Sequence, residues 1–352
     1  MPRLLHFAIL MILCADTCAQ WQPLPSRTTE SLRGLSVFNQ GIIWASGTHG
    51  TYLFTSNGGE TWTAGRVPGA ESLDFRGVIS FGPQVYLLAA GPGEQSRIYH
   101  TGHFGDEWQL QFTNRELKGF FDCMAFSDSR HGIVVGDPVD GKFRILLTND
   151  GGVRWRYSDP RKMPPAVAGE GAFAASNSCI TVAGRKNAWF VTGGAVARVF
   201  RSTDGGHNWK VSATPIVHGE PSTGIFSVAF RDAKHGVIAG GDYAHPERGG
   251  ANLAMSDDGG KTWKLAPAKQ QRFFSAVTYV SPDGLLVAGS GASGLSRDGL
   301  RTWQFFSPVG FNVLSLKPGF GVAYAAGANG SVARTVLGSC QAPCEPGGGE
   351  PR

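Results

Sequence analysis

Apolar residues fall in short runs along this chain, each bounded by Gly, Pro, Asp, Asn or Ser. Residues 35–38, 42–45 and 51–55 read as three strands, followed by a turn and a fourth strand at 62–64. Runs of that length between turn residues are the pattern of strands rather than helices. The same order of runs returns at 73–112, 119–157, 172–211, 222–265 and 271–306. A last, partial unit has three runs, at 311–316, 322–327 and 331–337. An all-β fold is expected.

Between the third and fourth strands of every complete unit sits one phrase. It reads TSNGGETW (55–62), TGHFGDEW (101–108), TNDGGVRW (148–155), STDGGHNW (202–209), SDDGGKTW (256–263) and SRDGLRTW (296–303). Its tryptophans, Trp62, Trp108, Trp155, Trp209, Trp263 and Trp303, are 46, 47, 54, 54 and 40 residues apart. A period of about 40–50 residues is that of a four-stranded propeller blade. Asp-Gly and Asn-Gly tolerate the positive φ angles of tight hairpins. The carboxylate and the Ser/Thr hydroxyl can close the turn locally, and the tryptophan offers a large face to bury between blades. Asn57, Asp150, Asp204, Asp258 and Asp298 are therefore expected to be structural. One carboxylate per turn is too few for calcium, and the nine histidines show no HxH or HExxH spacing.

The phrase, Ser/Thr-x-Asp-x-Gly-x-x-Trp, resembles the Asp-box or BNR repeat. That repeat occurs in sialidases, sortilin-type receptors and propellers like the photosystem II stability and assembly factors. The match in number, order and spacing covers nearly the whole chain after residue 20. Asn57 and His103 stand where the family has Asp, and Leu300 breaks the Gly-Gly pair.

Six boxes and one unfinished unit leave a fourth strand to find. Trp21-Gln22-Pro23-Leu24-Pro25 looks like the segments that follow the other boxes, and Trp21 lies 41 residues before Trp62, in phase with the repeat. The expectation is a seven-bladed ring closed by the N-terminal strand. Such closure leaves the blades without a gap.

Composition narrows the class further. Gly accounts for 50 of 352 residues and charged residues for 17%, which suits a turn-rich β-protein. A net charge of +5 without any Lys/Arg run argues against nucleic acid as a partner. Residues 1–19 read as a secretory leader, with Arg3, an apolar core and a small-residue end at Ala19. A lipid anchor at Cys14 or Cys18 is disfavoured by Leu13 and Thr17 before them. Beyond the leader no stretch is apolar enough to span a bilayer. The expectation is a secreted or periplasmic monomer with a propeller at 20–338 and a Gly/Pro-rich tail at 339–352. Four cysteines fall after the leader. Cys123 and Cys179 share a register in neighbouring blades, and Cys340 and Cys344 flank a short turn. Two disulfides, or two buried thiols with a loose tail pair, both fit this count.

In an up-and-down blade the boxes share one face, and the second-to-third turns share the other. On that other face three connections exceed what a turn needs: 136–143, 158–177 and 240–252. They carry Asp137, Asp140, Glu170, Asn177, Asp242, Tyr243, His245 and Arg248. Arg33 and Arg76 stand at matching starts of innermost strands, with Arg272 at a similar place in the sixth unit. The sequence thus predicts a channel mouth that is acidic on one side with arginines opposite, suited to a protein segment or a carbohydrate.

Two functions remain open at this point. A glycoside hydrolase would need two carboxylates about 5–9.5 Å apart, and Asp137, Glu170 and Asp242 are the candidates, Glu170 with Asp242 foremost. A sialidase is disfavoured because the Arg-Ile-Pro signature is absent. No cofactor motif appears. The resemblance to assembly-factor propellers implies instead a binding or assembly scaffold, whose relatives use an arginine-rich surface to hold a protein segment.

Overall fold

The computed structural model describes residues 19–267 and 272–338; Cys340, Cys344 and most of the leader lie outside the described residues. Seven antiparallel sheets stand around a ring. From the centre outward, the first holds Leu32–Val37, Ile43–Gly47, Thr51–Thr55 and Thr63–Arg66. The innermost strands of the next five are Asp74–Phe81, Phe121–Phe126, Ile180–Ala183, Thr223–Phe230 and Ala276–Tyr279. The seventh sheet runs Val313–Leu316, Val322–Ala326, Val332–Val336 and then Gln22–Leu24.

That last strand is the predicted closure. Gln22 lies opposite Arg334 and Leu24 opposite Val332. Trp21 packs its ring on Phe306 and Phe311 and donates its indole N–H to Ser293 Oγ at 2.8 Å. The first strand of the chain thus ties blade seven together and reaches into blade six, so the ring has no open seam.

Apolar cores lie between blades rather than within them. Leu32, Ile43, Leu53 and Trp62 of blade one are buried with Val313, Tyr324 and Val332 of blade seven. Tyr86 and Leu88 of blade two meet Met124, Val134 and Trp155 of blade three in the same way. Each box tryptophan therefore seals its own blade against the preceding one. The box turns hold it there. In blade three, Thr148 Oγ1 donates to Asp150 Oδ1 at 3.0 Å and accepts from Gly152 N at 2.8 Å, while Asp150 Oδ1 also accepts from Arg154 N at 3.0 Å. Blades four, five and six repeat this pattern around Asp204, Asp258 and Asp298, and Asn57 reproduces it in blade one. In blade two, His103 offers no oxygen, and only the Thr101 hydroxyl remains to bond Gly105 N, at 3.2 Å.

Two connections differ from expectation. The segment 136–143 is no loop: Gly132–Val139 and Lys142–Thr148 pair through it, and Asp140-Gly141 forms a two-residue turn with φ of 52° and 73°. Residues 158–177 contain a short 3-10 helix, Pro160–Lys162, and a two-residue strand, Glu170–Gly171. That strand pairs with Gly193–Gly194, which extends the sheet of blade five at its inner edge.

Candidate functional site

The innermost strands start with a shared irregularity. Register slips between Leu32 and Gly34, Phe75 and Gly77, Phe121 and Cys123, and Ile225 and Ser227. Each slip is a bulge that turns one residue off the ladder: Arg33, Arg76, Asp122 and Phe226 respectively. The next position is small because the inner strands crowd there. A Cβ added to Gly34 would stand 2.9 Å from Val78 N, and one on Gly77 would stand 2.6 Å from Asn177 Oδ1. Cys123 occupies this same position and is joined by a disulfide to Cys179, with Cα atoms 6.0 Å apart. The bridge staples the innermost strands of blades three and four, the first of the two cysteine readings that the sequence leaves open.

The mouth itself is not an open pocket. Residues 172–178 cross it and are held from several blades. Arg33 Nη1 donates to Ala175 O at 3.2 Å, and Arg76 Nη1 to Ala174 O at 2.9 Å. Asp137 Oδ1 accepts from Ala172 N at 2.9 Å. Asn177 pairs its side-chain amide with the backbone of Met124, at 2.8 and 2.9 Å, and Ser176 Oγ reaches Ser275 O at 3.1 Å. Phe173 stacks on Phe226 with centroids 4.0 Å apart. The arginines that the sequence sets opposite the acidic loops thus face the chain's own carbonyls.

The remaining candidates are likewise occupied. Glu170 is buried; both its oxygens take hydrogen bonds from Arg198, and it also accepts from Thr192 Oγ1 at 2.7 Å and Val167 N at 2.9 Å. Asp242 accepts from Ala244 N at 3.0 Å, His245 Nδ1 at 2.9 Å and Arg248 Nη1 at 3.4 Å. Burial pushes its pKa up, but bonds from Ser222, His245 and Ala244 outweigh this and hold it below the usual range. Tyr243 is exposed and sets its ring edge-on to Phe173 and Phe226. Arg272 lies over the Phe305 ring at 5.7 Å and points to Gly291 O at 3.4 Å, so it does not join Arg33 and Arg76. Asp140 caps nothing beyond its hairpin and is exposed.

Asp137 and Asp122 have unusual surroundings. Burial raises Asp137 to about 6, and the Ala172 N–H offsets this only in part. Asp122 is more deeply buried, and burial, then the nearby Asp137 charge, lift it well above the carboxylate range. Its Oδ2 has no hydrogen-bond partner among the described residues. No group of three metal-binding side chains forms among the described residues.

A cleft the sequence reading missed lies on the box face, between blades three and four. Its volume is about 650 Å³, and its walls include Arg154, Arg156, Tyr157, Lys162 and Arg185. It lies beside the outer strand of blade three, Arg156–Tyr157, which is only two residues long. Arg185 is paired with Asp128 at 2.9 Å. The heads of Arg154, Arg156 and Lys162 have no ion pair among the described residues. Three carboxylates also line the cleft: Asp204 spends both oxygens on its own turn, Asp150 spends Oδ1 on its turn and feels the Arg154 charge, and Asp159 pairs with Arg161 and feels the Lys162 charge. The signal available in the sequence was Arg-Trp-Arg at 154–156, where two cations flank a box tryptophan.

The family description BNR/Asp-box repeat matches residues 254–265, the stretch that carries Asp258 and Trp263. The chain is a seven-bladed Asp-box propeller. This propeller is 24% identical over 285 residues to photosystem II assembly lipoprotein Ycf48 of Synechococcus sp. (strain CC9902), covering 76% of this chain and 72% of the relative. Over 114 residues it is 28% identical to the chloroplastic photosystem II stability/assembly factor HCF136 of Oryza sativa subsp. japonica, covering 31% of this chain and 26% of that one. A solved structure named "YCF48 bound to D1 peptide" superposes with a TM-score of 0.67 at 18% identity, covering 92% of the propeller and 96% of that chain. At that identity the superposition establishes the shared fold, and function has to be argued from sites. No helix among the described residues is long and apolar enough to cross a membrane.

Proposed function

We propose that this propeller is a protein-binding scaffold that works outside the cytoplasm, and that it docks an acidic segment of its partner in the cleft between blades three and four. The observation that carries this reading is the trio Arg154, Arg156 and Lys162 on a cleft of about 650 Å³: none makes an ion pair within 4 Å among the described residues, although Asp150 and Asp159 lie near enough to Arg154 and Lys162 to feel their charge. Guanidinium groups without a close ion pair on a concave wall favour carboxylates and speed their capture. The similarity to assembly factors, one of them solved with a bound peptide, supports a protein ligand. The leader pattern of residues 1–19 and the Cys123–Cys179 bridge support an oxidising compartment. Hydrolysis is the poorer reading because Glu170 and Asp242, the foremost carboxylate pair, are both engaged by cationic or histidine side chains.

The test is capture of a partner from an extracytoplasmic extract. The wild type should retain a defined protein that Arg154→Glu/Arg156→Glu loses and Arg272→Ala keeps. Equal retention by the charge-reversed variant would refute the cleft as the docking site.

A further inference from the structure

We infer that the segment docking in the cleft carries an apolar side chain beside its acidic residues, and that this side chain seats in the groove between the outer strands of blades two and three. The inference rests on the cleft reading and extends it to the neighbouring concavity. That groove has a volume of about 640 Å³, and its walls include Leu110, Phe112, Arg115, Glu116 and Tyr157. Tyr157 lines the cleft as well, so the two concavities meet at the outer strand of blade three, Arg156–Tyr157. A bound chain passing from one to the other has only that two-residue strand to cross.

The groove offers apolar area from two blades. Leu110 lies on the outer strand of blade two, Gln109–Thr113, and is 50% exposed. Tyr157 is 41% exposed and sets its ring edge-on to Phe112, with centroids 6.0 Å apart. Exposed apolar residues scattered singly are ordinary on a protein surface. Here they come together on one concave wall, the arrangement that takes up an apolar side chain.

Three polar side chains of the groove are already engaged. Gln111 stands at a bulge in its strand; it donates to Gly151 O and accepts the Trp155 indole N–H, both at 3.2 Å. The Tyr157 hydroxyl donates to Asn114 Oδ1 at 3.0 Å, and both oxygens of Glu116 take hydrogen bonds from Arg144. Arg115, by contrast, is exposed and makes no ion pair among the described residues. Cations therefore stand on both sides of the apolar wall: Arg154 and Arg156 in the cleft, and Arg115 just past the end of Gln109–Thr113. An extended segment with carboxylates on either side of an apolar or aromatic residue complements that order.

Fluorescence anisotropy on the full chain, with synthetic peptides as probes, tests this. Two glutamate pairs flank either one phenylalanine or one serine, with glycine spacers of several lengths, so that both peptides carry the same charge. Burial of a phenylalanine side chain strengthens association by roughly tenfold or more, so the phenylalanine peptide is expected to bind the wild type about tenfold more tightly than the serine peptide. Leu110→Ser, a polar change at a half-exposed position, should abolish that preference. Arg115→Glu should weaken both peptides several-fold, as should Arg154→Glu/Arg156→Glu. Equal binding of the two peptides, each still weakened by Arg154→Glu/Arg156→Glu, overturns the groove and leaves the cleft standing. A preference that survives Leu110→Ser overturns the groove too. Binding that ignores the charge reversal, or no binding of either peptide, overturns both. A wild-type dimer in sedimentation that Leu110→Ser dissociates would place a second copy of the chain on the groove and overturn the partner's side chain as its occupant.

Discussion

Arg198 holds both oxygens of Glu170 in a bidentate pair, and the carboxylate it holds has no exposure to solvent. This pair ties the third strand of blade four to the loop that the sequence marks for catalysis. Removing one partner leaves a largely buried charge unmatched, which costs about 3–5 kcal/mol in buried pairs. Arg198 keeps some solvent access, so the lower end applies. Glu170→Gln is expected to lower the stability from urea unfolding by about 3 kcal/mol. On a glycan panel the wild type is expected to show no turnover; turnover abolished by this variant without loss of stability would restore the hydrolase.

The bridge between Cys123 and Cys179 closes a loop of sequence separation 56. Bridges of this kind contribute about 2–4 kcal/mol, chiefly by restricting the unfolded chain. Cys123→Ala/Cys179→Ala should lose that amount in chemical denaturation while the circular dichroism spectrum stays the same. An unchanged midpoint would mean that the innermost strands are positioned without the staple.

Leu300 stands at φ 68° where the other well-formed boxes have glycine, and it is fully buried among Val237, Phe274, Leu285 and Val287. A left-handed non-glycine residue costs about 1–2 kcal/mol, and loss of a buried leucine side chain costs about 2–5 kcal/mol. Packing therefore wins. Leu300→Gly should be destabilising by about 1–3 kcal/mol, measured by thermal or urea unfolding, and a stabilised variant would reverse this ranking.

Acid should loosen the boxes. Burial pushes Asp258 up, but bonds from the Thr262 hydroxyl and amide, Ser256 and Lys261 outweigh it and bring the group to about 2. The Thr302 amide and hydroxyl, with Ser296 and Arg301, hold Asp298 at about 2 as well. For such lowered acids the stabilising contribution is complete above the unfolded value, near 4, and is lost as pH falls toward 2. Urea midpoints should drop over that window, and Asp258→Asn should flatten the drop. Box one, where Asn57 already replaces the acid, supplies the internal contrast.

The ring was legible because its signals are local and periodic. A hydroxyl, an acid and a glycine make a turn wherever they recur, and Trp21 announces the closing strand by standing in phase. The candidate site was far less legible. That residues 172–178 cross the mouth depends on Arg33, Arg76, Met124 and Ser275, which are distant in sequence. Loop length suggested an open site, yet the excess chain serves as a cover. Asp122 sits in an apolar strand, and a bulge that turns it inward has no sequence mark beyond the small residue after it. The blade three–four cleft borders a strand that stops after two residues, and pattern does not show where a strand stops.

Docking of a partner protein between blades three and four, as proposed, is tested most directly by a photocrosslinking residue placed at Arg156, and separately at Tyr243, in the cell that makes the protein. An adduct with one protein from position 156, lost when Arg154→Glu is added, is the predicted result. Adducts from position 243 alone, or none from 156, would contradict it.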